Sequence, residues 1–264
     1  MTSTDLRFDA NLGWLFTEVP FLERFDLAAA AGFSGVEYPS PYDHTVGELR
    51  TSLQNAGLQQ VLINTPQGPP GDPTRGGFAC FPEMVSEFRD GVDRGLEYAA
   101  GLGSEFLHVC AGLRQPETSR DRAFARYVSN IVWAAERAQG SGVTLVLEVQ
   151  NKWDSPDFIL DSQQQTADVI DAVGQADVGL MFDVYHARRM EGDVVATLAS
   201  VRDHVVHVQI ADSPDRHEPG SGDIQWRAVF DALRDSGYSG WIGCEYRPSV
   251  DSMSSLEWMK ELRA

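Results

Sequence analysis

The amino-acid sequence predicts a single closed (β/α)8 barrel, the TIM-barrel class of α/β folds, with residues 1–264 forming one domain. Three observations carry this prediction. Short, β-rich apolar runs alternate with longer amphipathic stretches from one end of the chain to the other, the pattern of βα units around a parallel sheet. The alternation repeats eight times with no low-complexity linker between halves, and no GxGxxG follows the first run, which favours a closed barrel over an open doubly wound sheet. The 264 residues, 42% hydrophobic and 23% charged, suffice for one barrel with a full core and a solvated surface.

The first strand is predicted over residues 6–12 (LRFDANL), with its helix over 20–31. Residues 35–38 (GVEY) give the second strand and 45–56 its helix. The third strand, 60–64 (QVLIN), is followed by a Pro/Gly-rich stretch at 66–77 (PQGPPGDPTRGG). Because that stretch sits between a strand and its helix at 82–102, it reads as a long loop over the barrel mouth rather than a linker. The fourth pair is 106–110 (FLHVC) with 119–139, and the fifth is 144–148 (TLVLE) with 162–173. In that fifth helix Thr166, Ala167, Val169, Ile170 and Val173 recur at spacings of three and four, with Asp168 and Asp171 between them, giving one face to pack on a sheet. The last three pairs are 178–183 (VGLMFD) with 191–202, 205–210 (VVHVQI) with 225–235, and 241–246 (WIGCEY) with 253–262. Gly32, Gly57, Gly140 and Gly237 each fall just past a helical stretch, where a left-handed residue commonly closes the last turn.

Charge excludes whole classes of partner. Twenty-one Lys and Arg against 39 Asp and Glu leave a net −18, a field that repels polyanions, so neither nucleic acid nor an anionic membrane is expected. No run of about 18 apolar residues occurs, and the opening MTSTDLRFDANLGWLF lacks a basic region ahead of a long apolar one, so a soluble, untargeted chain is expected. Cys80, Cys110 and Cys244 form no CxxC pair, and an odd count predicts reduced thiols and a cytoplasmic location. Assembly into a homo-oligomer is compatible with all of these features.

In this barrel class the active site lies at the C-terminal ends of the strands, so polar residues that end apolar runs are the candidates. Glu148 ends LVLE, Asp183 ends GLMFD, Gln209 lies in VHVQI and Glu245 ends IGCE. They belong to strands five to eight, so barrel closure aims them at one point. Three carboxylates and an amide oxygen suit a hard divalent cation, Mg2+ or Mn2+, better than zinc. Without a cation they repel one another or take up protons. His186, three residues past Asp183, is placed to hydrogen-bond a substrate oxygen, whereas His108 and His207 alternate with apolar residues inside strands and are equally compatible with packing. His44 and His204 read as surface residues. In the stretch 212–222 (DSPDRHEPGSG), Arg216 is a cation at the mouth of an acidic barrel and points to capture of a carboxylate. Asn11, Glu37 and Asn64 are expected to line the opposite wall, with Trp14, Phe16 and Tyr42 nearby to exclude water. No nucleophile elbow occurs and no cysteine sits beside an activating base, which disfavours covalent catalysis.

These residues resemble the hydroxypyruvate isomerase family of xylose isomerase-like TIM barrels. The resemblance spans nearly the whole chain: ANLGWLFTEVPFLERFDLAAAAGFSGVEYPSPYD, RGGFACFP, FDVYHARRMEG, VQIADSPDRHEPGSGDI and GYSGWIGCEYRP follow the family in order and spacing. It implies a metal held by Glu148, Asp183, Gln209 and Glu245, with Glu148 and Glu245 as the acid/base pair, and a small hydroxy-oxo acid as substrate. Asn64, His186 and Arg216, placed at the mouth by the reading of the residues themselves, are expected to bind that acid. The implied reaction interconverts hydroxypyruvate and 2-hydroxy-3-oxopropanoate through an enediolate. Two departures stand out. Glu83 and Met84 follow FACFP where the family usually continues Gly-Arg, and VQNKWDSPDF after Glu148 matches only loosely. TEVPFLERF and INTPQG resemble the relative acting on 2-oxo-tetronate, while DVYHARRMEG resembles hydroxypyruvate isomerase proper.

Three other readings compete. Ketose 3-epimerases on the same barrel usually carry His where this chain has Gln209. Apurinic endonucleases of this fold need several zinc ions, more histidines and a basic face, which the −18 charge opposes. A non-catalytic metabolite-binding barrel that retains the metal quartet is the reading from outside enzymology.

Overall fold

A parallel sheet built from successive βα units places each strand beside its neighbour in sequence, and closure requires the last strand to reach the first. The computed structural model, which describes residues 6–263, has this topology. β1 (Arg7–Asn11), β2 (Gly35–Tyr38), β3 (Gln59–Asn64), β4 (Phe106–His108), β5 (Thr144–Glu148), β6 (Val178–Asp183), β7 (Val205–Ile210) and β8 (Trp241–Cys244) form one closed parallel barrel in chain order. β8 closes onto β1 with Arg7 opposite Trp241 and Ala10 opposite Cys244. Around it lie α1 (Arg24–Ala30), α2 (Val46–Ala56), α3 (Val85–Leu102), α4 (Arg120–Ala138), α5 (Gln163–Val173), α6 (Val184–Met190), α7 (Val194–Val201), α8 (Trp226–Asp235) and α9 (Trp258–Arg263). Residues 1–5, where the opening stretch was read for a leader, lie outside the described residues.

Local chemistry accounts for the helix boundaries. Thr45 and Glu48 form a reciprocal capping box at the start of α2, and Gly57 ends that helix in the left-handed region. The stretch 191–202 was predicted as one helix after β6, whereas the chain forms α6 directly off the strand and then α7. The cause is Asp183, whose carboxylate accepts the Tyr185 and His186 backbone N–H groups at 2.7 and 3.2 Å and turns the chain into a helix at once. Asp193 caps α7 in the same way through the Ala196 N–H.

Strand alternation sorts the barrel interior into layers. Leu62, Phe106, Val146, Met181 and Trp241 form an apolar plug inside the barrel, distinct from the larger core between strands and helices. Two residues further along β3 to β6 come Asn64, His108, Glu148 and Asp183, so the same inward face turns polar toward the C-terminal ends. Asp183 pairs in register with Gln209, and Gln209 with Gly243. β8 stops one residue before Glu245, whose N–H reaches both Ile210 O and Gly243 O, a tight bend that aims the next side chain across the mouth. The 66–77 stretch contains a short 3-10 turn (Pro73–Gly76) and packs along the end of β4, with Gln67 Nε2 3.1 Å from Cys110 Sγ. Gly77 is required there: its φ is +103°, and a Cβ would lie 2.3 Å from the Cys110 carbonyl oxygen. All three cysteines are buried and free, and no helix among the described residues is long and apolar enough to cross a membrane.

Candidate active site

A cavity of about 160 Å³ opens at the C-terminal ends of the strands, bounded by Asn64, His108, Glu148, Gln209, Arg216 and Glu245 among others. Larger hollows of about 450 and 610 Å³ lie at the opposite end of the barrel, where the charged groups Arg50, Glu105, Arg202 and Asp203 are exposed and do not converge.

Glu148, the last residue of β5, is 4% exposed. Its Oε1 lies 3.7 Å from His186 Nε2 and its Oε2 3.7 Å from His108 Nε2, and Gln150 donates to Oε2 at 3.1 Å. Burial, followed by the charges of Glu245 and Asp183, pushes its carboxyl well above the usual carboxylate range. Asp183 spends Oδ1 on the cap of α6, while its Oδ2 lies 3.4 Å from Arg216 and 3.7 Å from His186 Nε2. Burial raises its carboxyl too, against the pull of Arg216. Glu245 accepts Asn11 Nδ2 at 3.1 Å on one oxygen and Arg216 Nη2 at 2.5 Å on the other, and burial pushes it up to about 8 although Arg216 opposes the shift. Gln209 donates Nε2 to Glu37 at 2.7 Å, while its buried Oε1 has no partner among the described residues.

His186 has a defined tautomer. Its Nδ1 lies 3.0 Å from the Asn151 backbone N–H, which can only donate, so Nδ1 accepts and the ring proton sits on Nε2. Burial and then the charges of Arg216 and Arg189 hold the imidazole well below its ordinary pKa, hence neutral. Glu148, Asp183 and His186 come close enough to share an ion, but a protonated Nε2 makes His186 a donor rather than a ligand.

Arg216 packs near both Trp14 and Tyr185, its guanidinium carbon 4.8 and 5.0 Å from the two ring centres. Its Nε is buried without a partner among the described residues. The loop that carries it is organised by Asp212, a residue the spacing of motifs did not single out. Asp212 accepts from the Ser213, Gly220 and Ile224 backbone N–H groups and from the Trp226 indole.

Several expectations need correcting. Asn11 and Asn64 line the cavity as anticipated, but Glu37 does not; it lies behind Gln209 inside the barrel. Asp183 and His186 are buried and are not wall residues either; they stand 3.4 Å from Arg216 and 3.7 Å from Glu148 respectively. Trp14 lines the wall, whereas Phe16 and Tyr42 do not; Tyr42 is tied to the Asn64 carbonyl instead. The 66–77 loop contributes nothing to the wall. Glu83 and Met84 are also away from it: Glu83 pairs with Arg122 on the surface, and Met84 packs against the core. His204 is a half-buried surface residue paired with Asp171, and His44 stacks on Phe21.

The oxygen set passes a direct test of fit to a hard cation. Glu148, Asp183 and Gln209 are buried, and Gln209 Oε1 is an orphaned acceptor in a cavity wall otherwise rich in carboxylate.

Comparison with known proteins agrees with this architecture. Residues 25–262 match the family described as Xylose isomerase-like TIM barrel. The chain is 40% identical to a 2-oxo-tetronate isomerase of Cupriavidus necator, covering 96% of this chain and 97% of that protein. It is 39% identical to a hydroxypyruvate isomerase of Escherichia coli, covering 98% and 100%. A crystal structure described as an AP endonuclease, family 2, from Brucella melitensis superimposes with a TM-score of 0.93 at 37% identity, covering 97% of this chain and 99% of that one. With the family matched along almost its whole length and the closed eight-stranded barrel in place, the chain belongs to the xylose isomerase-like TIM barrels.

Proposed function

We propose that this protein is an isomerase of the aldose–ketose type that interconverts hydroxypyruvate and 2-hydroxy-3-oxopropanoate. The observation that carries the reading is that Glu148, Gln209 and Glu245 line a cavity of about 160 Å³ together with a half-buried Arg216, and that Asp183 stands 3.4 Å from that same Arg216. That volume is well below the roughly 300–1,000 Å³ of sites for drug-sized ligands and suits a three- or four-carbon acid.

Glu148, Asp183, Gln209 and Glu245 would hold Mg2+ or Mn2+, which when bound supplies Lewis-acid stabilisation of the developing negative charge. The rest of the chemistry belongs to the side chains. The reaction removes a proton from C3 of hydroxypyruvate, passes through an enediolate and returns a proton to C2. Glu148 and Glu245 form the pair that takes and returns it; burial raises both carboxyls above the usual carboxylate range, Glu245 to about 8, which favours groups able to hold a proton between its removal and its return. His186 gives a hydrogen bond from its Nε2–H to a substrate oxygen and keeps its proton. Arg216 holds the substrate carboxylate through its charge and its free Nε–H, and Asn64 lines the far side. Trp14 and Tyr185 keep water from the guanidinium. The partner is thus a small hydroxy-oxo acid rather than nucleic acid or membrane, consistent with the −18 charge, and three buried thiols fit a reducing cytoplasm.

Proton NMR in D2O with hydroxypyruvate, 2-oxo-tetronate and fructose, each with and without a chelator, tests this reading. Chelator-sensitive deuterium uptake with isomer formation in hydroxypyruvate is the expected result. Conversion of 2-oxo-tetronate instead would establish the second reading, which the 40% identical relative favours. Exchange in fructose alone would move the assignment to a sugar epimerase. Glu148→Gln and Glu245→Gln should each lower kcat by about 10²- to 10⁴-fold, as loss of a general acid or base does.

A further inference from the structure

Beneath the cavity lies a buried polar cluster that the reaction does not use directly: Asp9, Glu37 and His207, each essentially inaccessible to solvent. Glu37 is its hub. One of its oxygens accepts Asn11 Nδ2 at 2.8 Å and Gln209 Nε2 at 2.7 Å, and the other accepts His207 Nε2 at 2.7 Å. We infer that Glu37 is a positioning residue that fixes which end of the Gln209 amide faces the cavity and, through Asn11, where Glu245 stands. The inference deepens the proposed metal site and rests on that reading.

The argument is one of hydrogen-bond polarity. An ionised carboxylate only accepts, whereas a glutamine amide offers an acceptor at one end and donors at the other. A Gln209 turned the other way would set its oxygen 2.7 Å from a carboxylate oxygen in a dry interior and present an NH2 group to the cation. The observed orientation leaves Oε1 as the orphaned acceptor on the cavity side. Asn11 is locked by the same logic: its Oδ1 accepts the Gly13 N–H, so its Nδ2 must donate, and it donates to both Glu37 and Glu245. One buried carboxylate therefore sets the polarity of a metal-ligand candidate and the position of an acid/base candidate without lining the cavity itself. The barrel leaves space for it at Gly243 on β8, where an added Cβ would lie 2.6–2.7 Å from the Glu37 carboxyl atoms.

The test is Mn2+ affinity, measured by competition with a fluorescent chelator and independent of turnover. Wild type, Glu37→Met, Gln209→Glu and the double variant form a cycle, with circular dichroism to check folding. Glu37→Met removes the acceptor and should weaken Mn2+ about 10- to 100-fold, the usual cost of losing a partner that orients a metal ligand. Glutamate at 209 presents oxygen whichever way it turns, so in the Glu37→Met background it should restore about tenfold or more. In the wild-type background it meets the Glu37 carboxylate head-on and should restore nothing. Equal effects of Gln209→Glu in both backgrounds would overturn the inference, because a merely structural Glu37 predicts additivity. If Glu37→Met does not fold, Gly243→Ala decides: it displaces the carboxylate and should cost Mn2+ affinity, and wild-type binding in that variant would overturn the role. Absence of Mn2+ binding in wild type would remove the metal reading itself, whereas normal wild-type binding with an additive cycle removes only the role of Glu37.

Discussion

The Arg216 guanidinium packs near two aromatic rings, Trp14 and Tyr185, in the wall of a cavity that Glu148 and Glu245 also line. Two demands meet on this side chain in the proposed reading: it pairs with Glu245 at 2.5 Å and Asp183 at 3.4 Å, and its Nε–H, without a partner among the described residues, serves the substrate. Lysine satisfies the first demand as a point charge and fails the second, because it has neither the planar fork nor the stacking surface. Arg216→Lys should therefore raise KM for the hydroxy-oxo acid about 10- to 100-fold, the worth of a charge-assisted hydrogen bond, with a smaller change in kcat. Steady-state kinetics separate the roles: a fall in kcat at constant KM would tie Arg216 to Glu245 instead of to substrate. The cation itself was legible in the sequence as a basic residue in a rigid loop of an acidic chain. Its contact with two aromatic rings was not, since Trp14 and Tyr185 lie 202 and 31 positions away and only barrel closure brings them together.

At the scale of elements, the strand ends were readable because a run that alternates or stays apolar and then stops on a carboxylate is conspicuous, as in LVLE and GLMFD. All eight strands lie where the pattern places them, although β4 and β8 end two residues early. The helix missed was α6: at seven residues it is too short to show a periodic apolar face, and it is nucleated by a cap that is also a proposed metal ligand. This double duty has a measurable consequence. Asp183→Asn keeps an oxygen able to accept the Tyr185 and His186 N–H groups and should retain the thermal stability of the fold while weakening the divalent cation. Asp183→Ala loses the cap as well and should be less stable than Asp183→Asn by about 0.5–2 kcal/mol. Thermal unfolding of the two variants in the presence of chelator makes the comparison, and equal melting temperatures would show that α6 does not depend on this carboxylate.

The molecule as a whole buries an unusual amount of charge for one interior, and its lower layer was the least legible part of the site. His207 reaches Glu37 across 170 residues, so no local spacing announces the pair. Asp9 lies in the same cluster, with both oxygens unpartnered among the described residues. Burial, then the adjacent Glu37 charge, pushes the Asp9 carboxyl well above its ordinary value. By contrast, the hydrogen bonds from His207, Gln209 and Asn11 outweigh burial at Glu37 and hold it below the usual range, so the pair divides into one neutral and one ionised member. The neutral member makes stability depend on pH. The native state retains the Asp9 proton that the unfolded chain releases near pH 4, so raising the pH above that point favours unfolding until the raised native value is passed. Asp9→Asn is close in shape and neutral at every pH, so it abolishes this slope. Its advantage in unfolding free energy over wild type should grow as the pH rises above the unfolded value of about 4, by at most about 1.4 kcal/mol per pH unit. Guanidinium unfolding of both proteins across that range reads the difference directly; parallel curves would mean that Asp9 is ionised in the native barrel and that the cluster carries two negative charges.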